Sequence, residues 1–275
     1  MNSINNHKYV GKFVAVTLGL NLLASTGVLA LEVEGYAEPY RSISVAADES
    51  GTVEEVLVIE GQSVEAGQSL MRLNSAVFEA LLAIAEQNMQ AQGRLDAAKA
   101  DALMRSNRLE KLQSLRTEGH ARQEEVDRAV SEVAVSAANV RTAQEDSMSK
   151  RLEYEKIKAQ IARRTVRAPM AGVVAMLHKD QGEYIAPNSP EVLTLVQIDT
   201  LLANFTLTSY QIEKLHVGQD LEVKFIDSTH SANGIIEFIS PITDAESGTV
   251  LIRVRVDNSN GRFRSGERCK IQIGG

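Results

Sequence analysis

Apolar residues follow two different spacings along this chain, and the change from one to the other divides it into β and α segments. Over residues 41–73 and 165–197, apolar and polar residues alternate in short runs punctuated by glycines, which predicts short strands. Over residues 75–162 the apolar residues instead recur every three or four positions, which predicts long helices. We therefore expect a mixed α and β, multi-domain, elongated protein in which the helices interrupt a β module.

The two β segments are similar to each other in sequence. Val45–Val64 aligns with Val166–Ile185 at a constant offset of 121 residues. The alignment superposes four glycines, Gly51 on Gly172 and Gly61 on Gly182. Turns between short strands often need a positive φ, so we expect all four to be turn glycines. Two such halves predict one small β-sandwich over residues 41–73 plus 165–197.

The helical segment, residues 75–162, predicts a hairpin of two arms of about 40 residues, each roughly 60 Å long. Heptad spacing of this kind is typical of a coiled coil. In the first arm the expected seam is Leu81, Ile84, Ala91, Leu95, Ala98, Ala102, Leu109 and Leu112, interrupted by Asn88 and Arg105. In the second arm it is Val126, Val130, Val133, Ala137 and Val140, followed after a stutter by Met148, Leu152, Ile157 and Ile161.

One face of this predicted hairpin carries charges of both signs. They are Arg94, Asp96, Lys99, Asp101, Arg105, Arg108, Glu110 and Lys111. Such a face either solvates the coiled coil or sets the register between neighbouring copies packed side by side. The sequence leaves both interpretations open.

The two ends of the chain predict different things. Residues 199–275 contain short apolar runs separated by turn clusters, which is typical of a small β-barrel. Residues 1–30 begin with basic residues, continue with an apolar stretch and end in Val28-Leu29-Ala30. This pattern predicts a secretory signal peptide cleaved after Ala30, and an uncleaved N-terminal membrane anchor is the alternative.

Charge and chemistry exclude several classes of function. The net charge is -7 and basic residues alternate with acidic ones, so we expect no nucleic-acid partner. No lysine lies between Arg41 and Ala98, which argues against a carrier domain with a lysine-linked cofactor. Cys269 reads as an ordinary strand residue. The histidines and methionines are scattered without catalytic or ligand spacing, so we expect no enzyme, no cofactor and no metal site.

This organisation resembles the HlyD-like membrane fusion proteins, also called periplasmic adaptors, and most closely their resistance-nodulation-division (RND) efflux branch. The resemblance covers about Ser42 to Gly275 and rests on three stretches. Val166–Gly172 (Val-Arg-Ala-Pro-Met-Ala-Gly) is similar to the strand that re-enters the lipoyl half, Arg264–Arg268 (Arg-Ser-Gly-Glu-Arg) to the Arg-Pro-Gly-Met turn, and Pro241–Asp244 to a Pro-x-x-Asp step. It implies a lipoyl-like domain split by an α-helical hairpin and followed by a β-barrel.

The resemblance also implies a function. The chain would be a non-enzymatic adaptor of a tripartite efflux pump, in the periplasm of a Gram-negative bacterium, held at the inner membrane by its partners or its N-terminal segment. Its partners would be an inner-membrane transporter, an outer-membrane channel protein and further copies of itself in a ring. Family members carry Arg, Leu and Ser at the channel contact of the hairpin tip, and the matching positions here are Lys111, Leu115 and Arg122, of which only the leucine agrees.

Two alternatives stay open at this point. An adaptor of a type I secretion system or ATP-driven exporter would have the same architecture. A truncated or regulatory adaptor is the other, because the membrane-proximal domain that fuller members build from both termini is expected to be absent.

Overall fold

The structure is a computed structural model that describes residues 31–273, so the predicted signal peptide lies outside the described residues. The strands are β1 (Leu31–Ala46), β2 (Gly51–Val56), β3 (Ser63–Val64), β4 (Ser69–Leu73), β5 (Thr165–Arg167), β6 (Gly172–Leu177), β7 (Tyr184–Ile185), β8 (Glu191–Thr208), β9 (Asp220–Phe225), β10 (Ser231–Thr243), β11 (Thr249–Asp257) and β12 (Arg268–Ile273). The helices are α1 (Ala76–Gln90), α2 (Gly93–Thr117), α3 (Gln123–Arg163) and α4 (Ser209–Ile212). The predicted mixed α and β class is confirmed.

Two long strands run through both β modules and connect them. β1 and β8 pair antiparallel from Gly35 opposite Phe205 to Ala46 opposite Glu191, with a register shift between Pro39 and Arg41. The first half of β1 and the second half of β8 belong to one module, and the remaining halves belong to the other. The two hydrophobic cores are therefore linked by continuous strands.

The first module is a sandwich of two small sheets. One sheet has the order β5-β4-β2-β7, and the other contains β3, β6, β8 and the second half of β1. Alternate strand residues point inward from both sheets and form its core, and most of these residues are aliphatic. The fully buried core residues include Leu70, Met71, Leu73, Val174, Leu193 and Leu195.

The two sequence repeats complete each other's sheets in this sandwich. β2 of the first repeat pairs with β7 of the second, and β6 of the second pairs with β3 of the first. The peptide N–H of Gly61 donates to the carbonyl of Val174 (2.8 Å), and in the equivalent bond the N–H of Gly182 donates to the carbonyl of Val53 (2.9 Å). Neither repeat alone would satisfy these groups.

The four matched glycines are needed for two different reasons. Gly61 and Gly182 have φ values of 83° and 88°, a region that other residues enter only with strain. Gly51 and Gly172 instead open strands β2 and β6. For Gly172 the expectation of a turn with positive φ is wrong, because the constraint is close approach: a Cβ there would lie 2.6 Å from the carbonyl oxygen of Val196.

The second module is a ring of six paired strands. β1 pairs with both β12 and β8, so the order β1-β12-β9-β10-β11-β8 returns to its starting strand. Its core contains Phe225 and Phe263, whose rings stack with centroids 3.9 Å apart. Cys269 lies in the same core, and burial raises the pKa of its thiol to about 12.

The helices α1, α2 and α3 form an insertion between β4 and β5, which we call the helical insertion. Both α1 and α2 pack against α3. The predicted single first arm is wrong, because the helix is interrupted at residues 91–92 and consists of 15-residue and 25-residue helices. Within residues 31–273, no helix combines the length and apolar character needed to cross a membrane.

The buried side of α3 differs from the predicted seam. One series of buried and half-buried residues recurs at alternating spacings of three and four along the whole helix, so the predicted stutter is wrong. The residues of this series are Val126, Ala129, Val133, Ser136, Val140, Ala143, Ser147, Lys150, Tyr154, Ile157 and Ile161. Five residues beside the series are half-buried as well: Glu132, the predicted Ala137, Ala138, Asp146 and Gln160. The predicted seam residues Val130, Met148 and Leu152 are exposed instead.

The break in the first arm changes which residues face α3. In α2, the predicted Leu95, Ala98, Ala102, Leu109 and Leu112 are half-buried. In α1, the residues turned inward are Phe78, Leu82, Ala85 and Met89, whereas the predicted Leu81 and Ile84 are exposed. The two inward sets differ in phase by one residue, and the interruption at residues 91–92 absorbs that difference.

Candidate functional site

The far end of the helical insertion, which we call the tip, consists of the turn at residues 118–122 and the helix ends beside it. α2 ends in a Schellman motif: the N–H of His120 donates to the carbonyl of Leu115 (2.7 Å), and the N–H of Gly119 donates to that of Arg116 (3.0 Å). Gly119 has a φ of 79°, which the motif requires. The end of α2 is therefore fixed by its own backbone.

At the start of α3, only one of the two hydrogen bonds of a capping box is formed. Arg122 occupies the N-cap position, and its N–H donates to the carboxylate of Glu125 (2.8 Å). An arginine side chain has no hydrogen-bond acceptor, so it cannot cap the free N–H groups of the first turn as serine would. The guanidinium of Arg122 is exposed to solvent.

The structure places the three residues predicted to contact a channel at this tip. Lys111 and Leu115 lie one turn apart on α2, and Arg122 lies across the turn at the start of α3. Leu115 is half-buried, whereas Lys111 and Arg122 are exposed. A protein that approaches the tip would therefore meet two positively charged side chains beside a half-buried leucine.

Ion pairs join α2 to α3 below the tip. Nη1 of Arg105 lies 3.1 Å from Oε2 of Glu132, and Arg94 makes a similar contact with Asp146. Arg105 also contacts Asp101 on its own helix (3.3 Å), and this hydrogen bond raises the pKa of the Arg105 guanidinium. Part of the predicted charged face is therefore used inside the insertion, and Arg105 occupies the seam as an ion-paired residue rather than an interruption.

The opposite end of the insertion is its joint with the sandwich, where sequence reasoning missed one residue. Arg164, directly after α3, has only 9% of its surface exposed. Nε donates to the carbonyl of Asn74 (2.8 Å) and Nη1 to that of Ser50 (3.4 Å). The sequence does not indicate that Arg164 is buried, because nothing in it distinguishes this arginine from the exposed Arg163.

The turn at Arg264–Arg268 ties the second module together. The N–H of Gly266 donates to the carbonyl of Ala37 (2.7 Å), and the N–H of Ala37 donates to the carbonyl of Glu267 (2.9 Å). The buried carboxylate of Glu267 accepts the N–H groups of Ser228 (2.7 Å) and Arg264 (3.2 Å). Burial alone would raise the pKa of Glu267, but hydrogen bonds from Ser228 and Arg264 outweigh it and hold the pKa below its ordinary value.

Pro241–Asp244, the stretch that is similar to the Pro-x-x-Asp step, ends in Asp244. This residue organises the turn between β10 and β11. Its Oδ1 accepts the N–H groups of Glu246 (3.1 Å) and Ser247 (2.8 Å). The Ser247 backbone bond is the main cause that lowers the pKa of Asp244. Across residues 31–273, no group of three or more His, Cys, Asp or Glu side chains is placed to hold a metal ion.

Comparisons with known proteins agree with this architecture. A family model described as "RND MFP, barrel-sandwich hybrid domain" matches residues 41–197. The chain is 28% identical over 257 residues to the efflux pump periplasmic linker BepD of Brucella suis biovar 1 (strain 1330), covering 85% of this chain and 60% of BepD. It is 24% identical over 226 residues to the cation efflux system protein CzcB of Alcaligenes sp. (strain CT14), covering 82% of this chain and 41% of CzcB.

Among solved structures, the chain is similar to MacA from Actinobacillus actinomycetemcomitans with a TM-score of 0.77 and 18% identity, over 89% of this chain and 78% of MacA. At that identity the likeness shows a shared fold. The chain spans about 60% of the length of the first curated relatives it matches.

Proposed function

The chain belongs to the RND membrane fusion proteins, and from that membership we propose that it is a periplasmic adaptor subunit of a tripartite efflux pump. It would link an inner-membrane transporter to an outer-membrane channel by binding and by oligomerising, without catalysing a reaction. The names of two relatives support this proposal, since BepD is an efflux pump periplasmic linker and CzcB is a cation efflux system protein.

One observation carries the proposal: the helical insertion places a capped tip far from both β modules. α3 has 41 residues, which corresponds to roughly 60 Å at 1.5 Å per residue. The insertion leaves the sandwich after β4 and returns at β5, two strands that pair with each other. A long projection on a small β base suits a protein that spans a gap between two partners.

We assign each part of the chain a role within that proposal. Residues 75–162 act as a coiled-coil hairpin whose tip meets the channel. Residues 41–73 plus 165–197 form the lipoyl-like platform. Residues 199–275, together with the first half of β1, form a small barrel that faces the transporter. Residues 1–30 carry the chain to the periplasm or anchor it at the inner membrane, and several copies assemble into a ring.

The tip supplies the channel contact in this proposal. Leu115 is the one position that agrees with the RND pattern, and its partial exposure leaves apolar surface for a partner. Lys111 and Arg122 keep positive charge on either side of it. We expect them to meet acidic or carbonyl groups on the channel.

Site-specific photo-crosslinking in cells tests the proposal. A photoreactive residue replaces Leu115 or Arg122 at the tip, and separately Phe238 on β10, which is partly exposed. We expect the tip positions to capture an outer-membrane channel protein and Phe238 to capture an inner-membrane transporter. Thr142, exposed midway along α3, serves as the control and should capture neither.

The identity of the captured transporter separates the alternatives. An RND transporter supports the proposal, and an ATP-driven exporter would reassign the chain to type I secretion or ATP-driven export. If the tip and Phe238 capture nothing while the protein is folded in the periplasm, the bridging role is wrong and a regulatory adaptor becomes the better interpretation.

A further inference from the structure

Arg164 contacts three of the segments that meet where the helical insertion joins the sandwich. Its guanidinium bonds the carbonyl of Asn74, which lies between β4 and α1, and that of Ser50, which precedes β2. The backbone carbonyl of Arg164 accepts the N–H of Leu73, at the end of β4 (2.8 Å). Both ends of the insertion and the sandwich are therefore connected through one residue.

The same guanidinium packs against the first turn of α1. Its Cζ lies 4.4 Å from the centre of the Phe78 ring, close enough for a cation–π interaction. The hydrogen bonds of the Arg164 side chain go to the carbonyl oxygens of Asn74 and Ser50, whose dipoles favour a cation. Dipoles and an aromatic face thus stabilise a charge that has left the solvent.

Only arginine fits this position. The planar guanidinium reaches two carbonyls on different segments while its face lies on the phenyl ring, whereas the lysine ammonium is a compact group that cannot make all three contacts. Gly51 leaves room for it, because a Cβ there would lie 2.8 Å from Nη2 of Arg164. Gly51 and Phe78, both far from Arg164 in the sequence, are thus suited to this one side chain.

We propose that Arg164 is a clamp that holds the helical insertion at one angle on the sandwich, so that the two move as one body. A second side-chain contact at the joint is the partly exposed ion pair of Arg163 with Glu49 (3.1 Å), and ion pairs open to solvent contribute little. Hinges form at the ends of elements where few contacts oppose rotation. The contacts of Arg164 lie at such ends and oppose rotation there. The clamp would act in the same way whatever the tip or the barrel binds.

Pulsed electron paramagnetic resonance on the full chain measures this angle. Spin labels are attached after Ala134→Cys on α3 and Ala66→Cys in the sandwich, both at exposed positions. The native Cys269 can stay, because its buried thiol with a raised pKa should not react with the label. In the otherwise unchanged protein we expect one narrow distance distribution.

Arg164→Met should broaden that distribution roughly twofold or shift its mean, because the insertion then pivots at its ends. Arg163→Met is the matched control, and it should leave the distribution unchanged. Circular dichroism confirms that each variant is folded.

Two further variants keep the test decisive if Arg164→Met does not fold. Arg164→Lys keeps the charge without the planar fork, and Phe78→Leu keeps the arginine without the aromatic face, so each should broaden the distribution to a smaller extent. An unchanged distribution in the folded Arg164 variants, or equal broadening in Arg163→Met, would overturn the clamp.

Discussion

Leu152 and Ile157 face away from each other on α3, although both belong to the same apolar pattern in the sequence. Ile157 has 7% of its surface exposed, whereas Leu152 has 58% exposed. The difference arises because the inward positions of α3 include Ser147, Lys150 and Tyr154, which keep an uninterrupted three-four spacing. Apolar character alone therefore misidentifies the packed side of this helix.

The first prediction compares these two residues. Ile157→Ala should lower the free energy of unfolding by about 2–5 kcal/mol, because it leaves a cavity in a packed interface. Leu152→Ala should change it by less than about 0.5 kcal/mol, because the side chain is already in solvent. Urea denaturation followed by circular dichroism measures both. Equal losses of unfolding free energy in the two variants would show that both side chains are packed, as the predicted stutter requires.

A second prediction separates two kinds of glycine. Gly172→Ala should destabilise the sandwich by about 1–3 kcal/mol, because the added methyl group meets the carbonyl of Val196. Gly93→Ala is the control at the first residue of α2, where the added Cβ would have no atom within 4 Å beyond the neighbouring backbone of its own helix. It should raise stability by about 0.4–1 kcal/mol by restricting the unfolded chain. Thermal melts of the two variants should shift in opposite directions.

A third prediction concerns acid sensitivity of the second module. The pKa of Glu267 in the folded protein lies below its ordinary value of 4.5, so its stabilising effect is complete above that value. It is lost as the pH falls through the lowered folded pKa, when the carboxylate that accepts the N–H groups of Ser228 and Arg264 becomes protonated. The free energy of unfolding should therefore fall as the pH is lowered from 6 to 3, which is about the range over which carboxylates titrate.

Two variants identify the group responsible. Glu267→Gln should lose stability at pH 6 and show a flatter dependence at lower pH, since it cannot titrate. Glu222→Gln, at an exposed glutamate on β9, should keep the dependence of the unchanged protein. If Glu267→Gln keeps the same slope, another carboxylate causes the acid sensitivity.

A fourth prediction links stability to binding at the tip. Arg122→Ser should stabilise the helical insertion by about 1 kcal/mol, because a serine hydroxyl at the N-cap can accept an N–H of the first turn of α3. If Arg122 contacts the channel, the same variant should reduce crosslinking from a photoreactive residue at Leu115. Arg122→Ala removes the charge without adding a cap, so it should reduce capture to the same extent without the gain in stability. Capture that follows stability rather than charge would exclude a direct contact by Arg122.

The sequence by itself determined the order and type of the main elements. The repeat at an offset of 121 residues identified two halves of one sandwich, because burying both halves requires the same alternation and the same turns. The change of spacing after Leu73 located the helical insertion, and Gly119 located its turn, since these signals are local and depend on backbone geometry.

Only the tertiary structure decided which side of each helix is packed and what holds the joint. The interruption at residues 91–92 shifts the phase of the first arm, and Ser136, Ser147 and Lys150 occupy part of the seam of α3, so hydrophobicity marked only part of the contact. Gly172 and Arg164 are constrained by Val196 and by Asn74, Ser50 and Phe78, respectively, which come from other parts of the chain. Contacts between distant segments leave no periodic trace in a single sequence, and the clamp at Arg164 therefore became visible only when those segments were brought together.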